Sequence, residues 1–263
     1  MRTELVSEPG EPGHPNEDFA AVALPASGQG GAVVVLDGVT PPRGGTGCLH
    51  SVPWYTAHLG GSLTELTVSL PDVPLTEALS RAIIRTAEAH ERTCDLSHPR
   101  TPQATVVVAR WGAETVEYLV LSDSALLLRS PHGVVTAVLD DRISRLPAAS
   151  LATDAIVDAT VRNKEGGFFT AAADPAVAAR AVTGVVPRGE VRALAALTDG
   201  AARWVERFGE GGWADCLHFV RKEGARALVN RVRELERADE RERVHLRRSK
   251  THDDATVVYV ELP

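Results

Sequence analysis

The stretch Ala32-Val-Val-Val-Leu-Asp-Gly38, read with Asn16-Glu-Asp-Phe-Ala-Ala-Val-Ala-Leu24 before it, decides how this chain folds. Phe19 to Leu24 and Ala32 to Leu36 are short β-prone runs. Between them lies Pro25-Ala-Ser-Gly-Gln-Gly-Gly31, made of turn formers, so the two runs form a hairpin. In an antiparallel pair the end of one strand lies beside the start of the other. Asn16-Glu17-Asp18, which precedes the first run, and Asp37-Gly38, which follows the second, therefore share one end.

The same arrangement recurs downstream. Asp199-Gly200 follows a strand over Val191 to Thr198, and Asp253-Asp254 precedes a strand over Ala255 to Leu262. Ser122-Asp123-Ser124 closes a strand whose antiparallel partner starts near Gln103. A single Asp-Gly pair is an ordinary turn, but acids repeated at one sheet end would repel and shift one another's pKa values unless cations neutralise them. Oxygen-only ligands without a histidine and cysteine grouping suit hard ions, magnesium or manganese rather than zinc. Glycine after the aspartate lets the chain turn tightly and bring its carbonyl to the metal.

Elsewhere, Cys48 to Leu70 reads as helical, with Pro53 and Gly60-Gly61 breaking it or marking its ends. Leu75, Leu79, Ala82, Ile83, Thr86, Ala87 and His90 follow an amphipathic helical period. Thr105 to Arg110, Val116 to Leu121, Ala125 to Arg129 and Val134 to Leu139 read as a meander. Asp174-Pro175 predicts a short helix to Thr183, stopped by Gly184. Trp213 to Glu236 reads as one helix, and Arg233 to Arg248 as a solvated helix end and loop. The polar Met1 to His14 reads as a flexible N-terminus without the plan of a signal peptide. This order of elements is α+β, and two antiparallel sheets with helices packed outside satisfy it.

The 263 residues are taken as a single domain, 1–263; 44% hydrophobic and 24% charged residues are ordinary for a folded soluble protein. A net charge of −7 with scattered basic residues argues against nucleic acid or an anionic membrane as partner. Cys48, Cys94 and Cys216 have no paired spacing and read as buried apolar thiols, which fits a reducing cytoplasm. Cys48 and His50 near Trp54 raise a soft metal site, but two ligands without partners favour a packed helix start.

Six segments occur in order across nearly the whole chain: Asn16-Glu-Asp18, Val33-Val-Val-Leu-Asp-Gly38, Gln103-Ala-Thr105, Ser122-Asp-Ser124, Leu197-Thr-Asp-Gly200 and Asp253-Asp-Ala-Thr-Val-Val258. In them the sequence resembles the protein phosphatase 2C (PPM) family, bacterial branch. The resemblance implies an antiparallel β-sandwich flanked by helices on both faces, a four-layer α-β-β-α arrangement. It also implies two metal ions, Mg²⁺ or Mn²⁺, at one end of the sandwich. Carried over, Asp37 would bridge both ions, the Gly38 carbonyl would bind one, and Asp199 and Asp253 would hold the other. Glu17 or Asp18 would act directly or through water, Asp123 would help hold a third ion, and Asp254 would lie behind the ligands. Water activated between two ions would hydrolyse phosphoserine or phosphothreonine in a protein substrate.

The resemblance has gaps on the substrate side. The family's phosphate-binding arginine falls at Gly13, and the histidine-containing continuation after Asp-Gly is replaced by Val39-Thr-Pro-Pro-Arg-Gly-Gly45. Arg43 and His14 are the candidate substitutes for substrate binding. The family's variable flap falls within about residues 140–172, where Arg162 to Phe168 is either a substrate contact or a mobile loop. A phosphatase-like regulatory binder and a small-metabolite phosphatase are the alternative functions.

Overall fold

Val33, Val34, Val35 and Leu36 are all fully buried, so the strand that carries them is covered on both faces. Val33 and Val35 pack with Val107, Ala109, Leu126, Ala196 and Val258, whereas Val34 and Leu36 pack with Tyr55, Leu59, Leu63, Leu79 and Ile83. The computed structural model describes residues 1–26, 28–41, 45–242 and 250–262.

Its strands are β1 (Arg2–Glu8), β2 (Phe19–Ala23), β3 (Gly31–Gly38), β4 (Ala104–Trp111), β5 (Thr115–Leu121), β6 (Ala125–Arg129), β7 (Val135–Leu139), β8 (Val182–Pro187), β9 (Ala193–Leu197) and β10 (Ala255–Glu261). They form two five-stranded sheets, β1-β10-β9-β6-β7 and β2-β3-β4-β5-β8, with every pairing antiparallel. Helices α1 (Val52–Ser69) and α2 (Leu75–His90) cover the outer face of the β3 sheet. Between β7 and β8, α3 (Arg142–Arg145) and α4 (Asp154–Thr160) enclose a small satellite core of Val157, Val161 and Phe168. Helices α5 (Asp199–Glu206), α6 (Trp213–Glu223) and α7 (Ala225–Glu242) cover the other sheet through Trp204, Leu217, Leu228 and Val232. The result is the four-layer α-β-β-α sandwich.

Several local expectations need correction. Residues 1–14 are not all flexible, because β1 pairs with β10 from Arg2↔Glu261 to Glu8↔Ala255. An edge strand is held by backbone hydrogen bonds and buries little; here only Val6 is buried, so composition gives no warning. The four strands after Gln103 are not one meander. β4 and β5 lie in one sheet and β6 and β7 in the other, and the chain crosses at Ser122, whose φ of 71° is left-handed.

Pro53 lies in the first turn of α1, behind a Ser51 side chain that accepts the Trp54 N–H. Gly60-Gly61 does not break this helix. A Cβ on Gly60 would lie 2.2 Å from Phe19 Cδ1, so glycine lets α1 approach the sheet closely. After Asp174 the chain makes a 3₁₀ helix over Pro175–Arg180 and then enters β8, so Gly184 is a strand residue and not a helix stop. The single helix expected over Trp213 to Glu236 is two, divided at Gly224, whose φ is 97°. Glu234, Arg237, Glu240, Arg241 and Glu242 are exposed as expected, but Glu236 and Asp239 are buried, so the described part of the charge-rich segment is solvated on one side only.

Candidate active site

β3 and β9 run out at the same end of the sandwich, with Asp37 the penultimate residue of β3 and Asp199 two residues beyond β9. Asp37 lies opposite Thr105 of β4, Asp199 opens α5, and Asp253 lies just before β10. The two sheets meet here directly, because Asp37 Oδ2 accepts the backbone N–H of Asp199 at 3.3 Å. Asp37, Gly38, Asp123, Asp199 and Asp253 line one cavity of about 480 Å³, together with Thr105, Arg162 and Lys250. Five of the acids and carbonyls expected at the sheet ends thus reach a common space.

Asp18 sits beside this cavity in a hydroxyl network. Its Oδ2 accepts Thr256 Oγ1 at 2.6 Å and Thr198 Oγ1 at 3.0 Å, while Oδ1 is sealed from solvent with no hydrogen-bond partner. Asn16 bonds Ser7 Oγ and accepts the Asp18 N–H, which fixes the turn into β2. Asp254 clamps the same segment from behind, accepting the N–H of Gly10 at 2.8 Å and of Glu17 at 2.6 Å. Glu17 is buried and accepts the Thr40 hydroxyl. Asp123 follows the strained Ser122, whose N–H donates to Asp140 Oδ2 at 2.8 Å; Arg142 in turn holds Asp140.

Burial makes ionisation of these acids costly. Desolvation pushes Asp18 up to about 8, Asp199 up to about 7 and Asp37 well above the usual carboxylate range, and neighbouring aspartates raise each of them further. Desolvation raises Asp123 and Glu17 as well. Among the described residues no three of these carboxylates close to within 4.8 Å of one another. Drawing them together costs repulsion that a divalent cation offsets. Oxygen-only donors, an orphaned carboxylate oxygen and acids that resist ionising all fit a hard divalent ion.

Two basic side chains already address Asp253. Arg203 Nη2 lies 2.8 Å from Oδ2 and Lys250 Nζ 3.1 Å from Oδ1. Arg203 stands one turn beyond Asp199 on α5 and is fixed by the buried Glu236 at 2.5 Å. Lys250 also donates to Thr40 and lies 3.7 Å from Glu17. The two glycines of the Asp-Gly pairs serve close approach. A Cβ on Gly38 would lie 2.5 Å from the Glu17 carbonyl oxygen, and one on Gly200 would lie 2.0 Å from that of Asp254.

A family profile described as protein phosphatase 2C matches residues 11–247. The chain belongs to the protein phosphatase 2C family. Solved phosphatases of this kind share its fold at low identity. The serine/threonine phosphatase Stp1 from Staphylococcus aureus is 11% identical with a TM-score of 0.61, covering 100% of this chain and 95% of that one. The phosphatase PstP/Ppp of Mycobacterium tuberculosis is 15% identical with a TM-score of 0.58, covering 99% and 98%. The PPM Ser-Thr phosphatase MsPP from Mycobacterium smegmatis, in complex with cacodylate, is 16% identical with a TM-score of 0.54, covering 100% and 99%. No curated protein matches the sequence.

This phosphatase 2C chain departs from expectation on the substrate side. Gly13 is exposed with φ 88°, a backbone in which an arginine would be strained. His14 is exposed, its Nδ1 3.2 Å from the Pro15 carbonyl oxygen, and it does not line the cavity. It is near enough to Glu17 to favour that acid's ionised form, but it stays outside the cavity lining. Arg43 lies outside the described residues.

The segment expected as a flap does reach the site. Arg162, Phe168 and Thr170 line the cavity, and Gln103 Oε1 accepts Thr170 Oγ1 at 2.7 Å while Asn163 Oδ1 accepts the Thr170 N–H at 2.7 Å. Arg203, Lys250 and Asp140 were missed in the sequence. For Arg203 the spacing of one helical turn after Asp199 is a usable signal. Lys250 and Asp140 carry no local signal, because only the fold brings them in. The reading of all three cysteines as buried apolar thiols holds for Cys216 alone. Cys48 and Cys94 are half-buried and face each other with Sγ atoms 2.7 Å apart.

Proposed function

We propose that this protein is a Mg²⁺- or Mn²⁺-dependent phosphatase that hydrolyses phosphoserine and phosphothreonine in protein substrates, acting in the cytoplasm. The observation that carries the reading is the cavity ringed by Asp37, Asp123, Asp199 and Asp253 beside the orphaned Asp18 Oδ1, in a chain of this family. No helix among the described residues is long and apolar enough to cross a membrane.

In this reading Asp37 and the Gly38 carbonyl hold the ions jointly with Asp199 and Asp253, while Glu17 and Asp18 act through water and Asp123 supports a further ion. Bound divalent ions would supply Lewis-acid stabilisation of phosphoryl oxygens and lower the pKa of water. The protein's own part is positional. Asp254 and Asn16 hold the Glu17-Asp18 turn, Asp140 holds the Asp123 turn, and Arg203 orients Asp253. Arg162 and Lys250, the cations on the cavity wall among the described residues, take the phosphate-orienting role that Gly13 cannot fill.

The test is turnover of p-nitrophenyl phosphate and a phosphothreonine peptide with Mn²⁺ for wild type, Asp37→Ala and Asp199→Ala. Loss of about 10²-fold or more in both variants is expected; equal activity in all three sinks the assignment.

One observation favours a second reading. Lys250 and Arg203 together engage both oxygens of Asp253, so an ion must share or displace them. A phosphoprotein-binding regulator with weak catalysis would tolerate this. Calorimetry showing tight phosphopeptide binding without turnover at saturating Mn²⁺ would select it.

A further inference from the structure

Away from the acidic cavity, the residues before α1 meet the turn after α2. The Asp95 N–H donates to the Gly47 carbonyl at 2.7 Å and pins the two segments together. At this junction Cys48 Sγ, His50 Nδ1 and Cys94 Sγ all lie within 4.8 Å of one another. His50 Nδ1 is 3.7 Å from Cys48 Sγ and 3.4 Å from Cys94 Sγ. The imidazole is held in place by Trp54, whose ring centroid lies 4.0 Å away, and Trp54 stacks in the same way on His58. Backbone N–H groups point at both sulfurs, Leu49 at Cys94 Sγ (3.3 Å) and His50 at Cys48 Sγ (3.4 Å). None of the three residues lines the acidic cavity.

We propose that Cys48, His50 and Cys94 form a second metal site, for a borderline-soft divalent transition ion of the zinc class. The donor set is the argument. Two thiolates and one neutral imidazole are what such an ion prefers, and they are poor ligands for magnesium. A ring nitrogen facing both sulfurs serves a shared ion, whereas a disulfide has no need of it. The N–H groups aimed at sulfur favour the thiolate form, as supporting contacts around metal ligands do. Binding releases the two thiol protons to solvent and forms two metal–sulfur bonds and one metal–nitrogen bond, with no change of oxidation state.

Seating an ion requires the sulfurs to part from 2.7 Å to about 3.7 Å, the separation that tetrahedral geometry and a metal–sulfur bond of about 2.3 Å impose. Side-chain rotation on half-buried segments allows this. Three half-buried protein ligands leave a fourth position for water or another donor. The ion would tie residues 47–50 to the end of α2. It would thereby anchor the far end of the connection that leaves the acidic cavity at Gly38.

The test is cobalt titration of the full-length, fully reduced protein, with excess Mg²⁺ present to occupy the acidic cavity. A thiolate-to-cobalt charge-transfer band in the near ultraviolet should saturate at one ion per chain and vanish on adding Zn²⁺. It should be absent in Cys48→Ser and Cys94→Ser and weakened in His50→Ala. The aspartate cavity contains no sulfur, so this signal stands or falls independently of phosphatase activity. On wild type alone, Zn²⁺ should shield two of the three cysteines from a thiol reagent. Absence of the band in reduced wild type, or reaction of Cys48 and Cys94 at the same rate with and without Zn²⁺, overturns the proposal. So does a Cys48–Cys94 disulfide whose reduction leaves protein unable to take up Co²⁺.

Discussion

Asp37 Oδ2 accepts the backbone N–H of Asp199 across the gap between the two sheets, at 3.3 Å. Asp37 lies at the end of β3 in one sheet, next to its final residue Gly38, and Asp199 opens the helix that follows β9 in the other. The contact therefore exists only if the sandwich is correctly assembled, and it ties the acidic site to the global fold.

The same assembly makes stability depend on pH. Asp18 and Asp199 ordinarily titrate near 3.8, but in the folded chain burial and neighbouring acids push them up to about 8 and about 7. The folded state then holds more protons than the unfolded state between those values, so stability falls as pH rises through this window and the full penalty applies above it. Without divalent ions, the Tm should fall as pH is raised from about 5 to about 8. Saturating Mg²⁺ or Mn²⁺ should raise Tm most at the alkaline end. Thermal scans across pH, with and without the ions, check both; a Tm that rises with pH in the ion-free protein contradicts the electrostatic account.

Lys250 competes with an ion for Asp253. The ammonium is 39% exposed and 3.1 Å from Oδ1, a pair worth about 0.2–1 kcal/mol. Lys250→Met should tighten apparent Mn²⁺ affinity about 2–5-fold while raising KM for a phosphopeptide. Activity measured against Mn²⁺ and peptide concentration separates the two effects.

Asp254 acts through the backbone. It is buried and accepts two N–H groups, from Gly10 and Glu17, so Asp254→Ala strands two donors and should cost about 3 kcal/mol in urea unfolding. Asp254→Asn keeps one acceptor oxygen and should cost less. An equal loss in both variants would show that charge, and not the pair of hydrogen bonds, holds the segment.

The adjacent glycines of α1 should respond in opposite ways. Gly61 meets nothing within 4 Å, so Gly61→Ala should stabilise by about 0.5–1 kcal/mol through helix propensity. Gly60→Ala places a Cβ 2.2 Å from Phe19 Cδ1 and should destabilise by about 1–3 kcal/mol. Chemical denaturation of the two single variants decides.

How far the site was legible follows from these residues. Asp37, Asp123, Asp199 and Asp253 could be read in advance because each stands at the end of a β-prone run, and antiparallel pairing converts that position into proximity. His14 could not be placed, since it lies in a turn, its N–H donating to the Glu11 carbonyl, outside any strand whose pairing would fix it. Gly38 and Gly200 were legible as glycines, but not for their steric role: neither has positive φ, and at both a Cβ would meet another backbone that passes close by. Cys48 and Cys94 are 46 residues apart, and no spacing rule joins them before α1 and α2 are packed.

By itself the sequence determined the β-strands of the sandwich core, the amphipathic α2 and the acids at strand ends, because side-chain periodicity and turn chemistry act over a few neighbouring residues. Tertiary structure alone decided the pairing of β1 with β10, the crossing between sheets at Ser122, and the arrival of Arg203 and Lys250 at Asp253. It also decided the meeting of Cys48, His50 and Cys94. Those relationships depend on backbone hydrogen bonds and close packing between distant segments, which leave no local pattern in the chain.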